Sequence, residues 1–85
     1  MKLNINHAKE FMKILGASNM VDPSIQNDGT FAFSLKTSDK DEKLVLDPGV
    51  VAGLVQLSKS VERGQTPEDK LVSEVAKIRK EFGIS

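Results

Sequence analysis

Asn27-Asp28-Gly29-Thr30-Phe31-Ala32-Phe33-Ser34-Leu35-Lys36 holds the clearest strand in the chain. Phe31, Phe33 and Leu35 alternate with Ala32, Ser34 and Lys36, so a strand over residues 30–36 turns its large apolar side chains to one face. Asn27-Asp28-Gly29 reads as a hairpin turn, with Gly29 supplying the positive φ that such a turn needs. The hairpin requires a partner strand, which places a short strand around Ile25, with Met20 and Val21 lying down on the core. On the other side a polar link, residues 37–42, leads to Lys43-Leu44-Val45-Leu46. There Leu44 and Leu46 join the same inner face. Two strands alone are weak, so the third strand and covering helices are part of the expectation.

Outward from the sheet the period changes from 2 to 3.6. Upstream, Ala8, Phe11, Met12 and Leu15 recur at i, i+3, i+4 and i+7 and predict a helix over residues 6–15. Asn4 or Asn6 caps its start and Gly16 ends it. Downstream, Asp47-Pro48 marks a sharp boundary: the carboxylate accepts from orphan amides and proline fits a first helical turn. The predicted helix runs from Pro48 to about Glu62 and stops near Gly64. Its buried stripe is Val50, Leu54, Leu57 and Val61, broadened by Val51 and Val55. So wide an apolar surface implies contact on more than one side.

Thr66-Pro67-Glu68-Asp69 repeats the device, with Thr66 as cap and Pro67 opening a last helix. Leu71, Val75, Ile78 and Phe82 form its predicted core stripe and Gly83 its end. Lys70–Glu74 and Lys77–Glu81 are i, i+4 charge pairs on its outer surface. The short link at residues 63–65 makes the last two helices antiparallel neighbours. The expected fold class is α+β: one domain over residues 1–85, an N-terminal helix, a short antiparallel meander of two or three strands, then two antiparallel helices (αβββαα).

Composition bounds the function. Twelve Lys and Arg balance twelve Asp and Glu, so the basic excess through which nucleic-acid binders neutralise phosphates is missing. The absence of cysteine excludes disulfides, thiolate metal sites and thiol nucleophiles at once. The N-terminal Met1-Lys2-Leu3-Asn4-Ile5-Asn6-His7 has no apolar run resembling a signal peptide, and no stretch approaches membrane-span length. The expected compartment is the cytoplasm, or a host cytoplasm if the chain is viral.

No residue set reads as a site of chemistry. His7 is the single histidine, with only Glu10 as a local carboxylate, and reads as a solvent-facing side chain near a helix start. Asp39-Lys40-Asp41-Glu42 fails the calcium-loop pattern, since Val50 rather than Glu stands at its twelfth position, and Lys36, Lys40 and Lys43 neutralise it. The start of the Asp47-Pro48 helix is no anion site, because the capping carboxylate occupies it. No catalytic residue, cofactor or metal is expected.

What remains is binding. The expected function is a non-catalytic protein–protein interaction module, a small accessory, regulatory or inhibitory protein of the kind a phage or bacterium encodes. Its partner is a protein, a second copy of the chain being one such partner. Two surfaces are candidates: the small-residue seam Gly49 and Gly53 with Val51 and Val55 on the central helix, and the loop residues Asp39, Asp41 and Glu42. Gly53 serves close packing, within the chain or between copies. The alternative is a nucleic-acid-binding regulator using the C-terminal helical hairpin. It is disfavoured by Glu68 and Asp69 in the first turn of the last helix and by the scatter of Lys70, Lys77, Arg79 and Lys80.

Overall fold

The structure, a computed structural model, describes residues 3–39 and 41–84; expectations that fall on Met1, Lys2 and Lys40 lie outside the described residues. The element order is α1 (Ile5–Leu15), β1 (Met20–Ile25), β2 (Phe31–Lys36), β3 (Asp41–Leu46), α2 (Pro48–Glu62) and α3 (Glu68–Phe82). The strands form an antiparallel meander in the order β1-β2-β3, so the αβββαα expectation holds.

The core forms where the inner sheet face meets the helices. Phe31, Phe33 and Leu35 are buried there with Leu46 of β3, Phe11 and Leu15 of α1, and Leu54 of α2. Register sets these neighbours, with Phe31 opposite Leu46 and Phe33 opposite Leu44. The Phe11 and Phe31 rings meet edge to face at 5.5 Å between centroids, a favourable arrangement for the aromatic quadrupoles. Ala32, on the opposite side of β2, is also buried, between its register partners Ser24 and Val45.

Local signals set the start of α1. The Asn4 side chain accepts from the Asn6 and His7 amides, while His7 Nδ1 accepts from the Asn4 amide at 3.1 Å. That reciprocal box gives His7 a capping role. Leu3 and Ala8, one residue before and four after the cap, are both buried, as a hydrophobic staple requires. At the hairpin turn, Gly29 has φ 89°. Asp28 accepts from the Thr30 hydroxyl at 2.6 Å and from its amide at 3.1 Å, which holds the Asp28 carboxyl below its ordinary pKa.

Two sequence expectations for the sheet need correction. The first strand is not confined to the neighbourhood of Ile25 but reaches back through Asp22-Pro23-Ser24 to Met20. A bulge between Val21 and Ser24 absorbs the extra residue, with Asp22 at φ 56°, and proline is tolerated because β1 is an edge strand. The third strand begins at Asp41, so Asp41 and Glu42 belong to it and not to the link before it. Asp41 pairs with Lys36 and Glu42 with Leu35. Ladder hydrogen bonds carry the strand beyond its apolar part. The left-handed backbone at Asp22 has a measurable consequence. Asp22→Val is expected to cost about 1–2 kcal/mol in urea denaturation, because a β-branched side chain crowds the carbonyl at positive φ, whereas Asp22→Gly stays near neutral.

Candidate functional site: the α2–α3 hairpin

Burial stops part-way along the last two helices. The buried residues of α2, Val51, Leu54 and Val55, all lie in its first half, and the one buried residue of α3, Ile78, lies in its second. From Gln56 to Lys77 no residue is buried. The tip of the hairpin therefore stands clear of the core, and its two helices pack there on each other. The molecule exposes 5505 Å², about a tenth more than the roughly 5,000 Å² usual for a monomer of this mass.

Apolar side chains continue along this overhang. Leu57 and Val61 are half-buried and outside the core cluster, and Leu71 and Val75 reach only its edge. Val72 is 60% exposed. A groove runs down each flank of α3. One lies between α2 and α3, with Val50, Leu54, Leu57, Ile78 and Phe82 among its lining and Lys70, Glu74, Lys77 and Glu81 along its α3 side. The other lies between α1 and α3, lined by Ile14, Leu71, Val72, Val75 and Ala76 with Glu68 and Arg79.

The residues read from the sequence as a seam do not share a face. Val51 and Val55 are buried in the core at 0% and 3% exposure, whereas Gly49 and Gly53 are exposed and line the α2–α3 groove. The apolar residues of α2 form one wide arc, and docking on α1 turns the Val51 and Val55 side of that arc inward, leaving Val50 and Leu57 at its edge. Gly49 belongs to the cap: its amide donates to Asp47 Oδ1 at 2.8 Å, and an added Cβ would lie 3.3 Å from that oxygen. Gly53 is different. A Cβ there meets nothing within 4 Å, so close packing within the chain is not its purpose. Gly53→Ala is therefore expected to raise stability by about 1 kcal/mol through helix propensity alone, read as a higher urea midpoint.

The other candidate surface is also dispersed. Asp39 stands in the connection after β2, while Asp41 and Glu42 are exposed residues of β3 on opposite faces of an edge strand. Charged side chains of this kind discourage edge-to-edge pairing. Nor does Thr66 cap α3. Pro67 occupies the capping position without a side-chain bond, and the Thr66 hydroxyl instead lies 2.6 Å from Ser60 Oγ, tying the loop to the end of α2.

Among the described residues, no group of three or more His, Asp or Glu lies close enough to hold a metal ion, and no buried polar side-chain atom lacks a partner. Among them, too, no helix is long and apolar enough to cross a membrane. No known protein family, curated protein or solved structure matches this chain.

Proposed function

We propose that the chain is a non-catalytic protein-interaction module, a small accessory or inhibitory protein that works in the cytoplasm by binding another protein through its α2–α3 hairpin. One observation carries this reading: from Gln56 to Lys77 the hairpin carries Leu57, Val61, Leu71, Val72 and Val75, yet contributes nothing fully buried to the fold. Helices are stabilised in proteins mainly by burying an amphipathic face. Leu57, Leu71, Val72 and Val75 are only partly covered, and a partner would complete that burial. The balanced charge suits a protein partner better than a polyanion.

The test is a tagged pull-down from lysate of the native host, with and without nuclease, using the intact chain and a Val72→Arg variant as baits. The reading predicts a protein retained by the intact chain in both samples and lost with the variant. Capture that vanishes on nuclease treatment would instead favour the nucleic-acid regulator. The absence of any retained protein would overturn binding to a different protein.

A further inference from the structure

We propose that α3 pairs antiparallel with α3 of a second copy of this chain, about a two-fold axis passing between Ser73 and Glu74. The proposal rests on the hairpin being the binding element and names its occupant. Glu68, Val72, Val75 and Arg79 recur at i, i+4, i+7 and i+11, so they form one stripe along α3, and all four line the groove against α1. The centre of the stripe is apolar and its ends carry opposite charges. In a two-fold contact each residue meets the one equally far from the axis on the other side. Val72 then faces the partner's Val75, and Glu68 faces the partner's Arg79, at both ends. Leu71 meets the partner's Ala76, a large side chain against a small one, as interdigitating helices require.

A parallel arrangement would set Glu68 against Glu68 and Arg79 against Arg79, so the charges themselves select the antiparallel register. The ridge on the other flank, Lys70, Glu74, Lys77 and Glu81, also alternates in sign, but it is exposed and charged throughout. Exposed ion pairs contribute little without apolar burial between them. Of the two ridges, the Val72 stripe alone combines charge complementarity with an apolar centre, in which Val72 is exposed and Val75 half-buried. The overlap from Glu68 to Arg79 spans roughly 18 Å of helix. That places the contact at the small, weak end of specific interfaces, below about 1,200 Å² in total, and the dimer should dissociate on dilution.

Sedimentation equilibrium on the intact chain between about 20 μM and 1 mM, a range spanning weak association, tests this. The expected result is a reversible dimer in the upper part of that range. Glu68→Arg and Arg79→Glu each put like charges at both ends, and each should weaken the dimer about tenfold or more. Mixed in equal amounts, the two variants restore both opposite-charge contacts, and dimer should reappear as the heterodimer. Val72→Arg, at an exposed site that the fold does not depend on, should leave a folded monomer by circular dichroism. A chain monomeric at 1 mM overturns the self-pairing but leaves the pull-down result for a different protein standing. A dimer indifferent to Glu68→Arg and Arg79→Glu also overturns it. If Gly53→Leu abolishes that dimer, the seam lies in the α2–α3 groove. A mixture that stays monomeric overturns the antiparallel register.

Discussion

Phe31→Ala is expected to cost about 3–5 kcal/mol of folding stability, the range for emptying a buried aromatic site. Phe31 is fully buried, meets Phe11 edge to face and Phe33 at 5.5 Å, and stands opposite Leu46. It is where α1, β2 and β3 converge. A domain of this length has a net stability of roughly 4–13 kcal/mol, so the loss takes a large share of the whole. Urea denaturation followed by circular dichroism should show the midpoint collapse, with a substantial unfolded fraction before denaturant is added. A loss below about 1 kcal/mol would mean that the three elements do not meet on this ring.

The second large effect separates the two halves of α2. Leu54→Ala should cost about 2–5 kcal/mol, because the side chain is 3% exposed in the core. Leu57→Ala, one turn further along the same helix, should cost roughly 1 kcal/mol or less, since Leu57 lies outside the core cluster and is only half-buried. The chemistry and helix type are the same, so the difference isolates position relative to the core. Equal losses at the two sites would bring the hairpin tip into the core and remove the basis for a binding surface there.

Much of the architecture is legible because its signals are local. The alternation over Phe31–Leu35, the turn at Gly29 and the Asp47-Pro48 boundary each depend on neighbours in the chain. What was hidden depends on contacts between elements. α2 carries a wide apolar arc through Val50, Val51, Leu54, Val55, Leu57 and Val61, so periodicity cannot say which part of it turns fully inward; packing on α1 decides. β1 hides behind Asp22-Pro23, two strand breakers that a bulge on an edge strand accommodates. Asp41 and Glu42 join β3 through pairing with β2, to which their polarity is no guide.

Leu3 and Ile84 carried signals that helix periodicity passes over. Leu3 is the staple residue ahead of the Asn4 cap. Ile84 follows the left-handed Gly83, donates to the Arg79 carbonyl at 2.9 Å, and is buried. The candidate site was legible only in part. Gly53 stands out in the sequence as a glycine inside a helix, but its open surroundings follow from how α2 and α3 pack. Val72 escaped notice because the core stripe Leu71-Val75-Ile78-Phe82 accounts for the obvious periodicity, leaving it as a lone apolar residue on an outer face. Its 60% exposure in the groove against α1 gives it significance.

The tip of the α2–α3 hairpin, from Gln56 to Lys77, stands outside the core, where another protein can reach it. Amide hydrogen exchange on the dilute, free chain tests it most directly. Exchange should be slow, near the limit of global unfolding, in β2 and the middle of α1. Helical amides from Gln56 to Lys77 should exchange well ahead of them, as a separate unit opening at lower free energy. Hairpin amides as protected as those of Phe31 and Phe33 would contradict it, because the hairpin would then unfold only with the core.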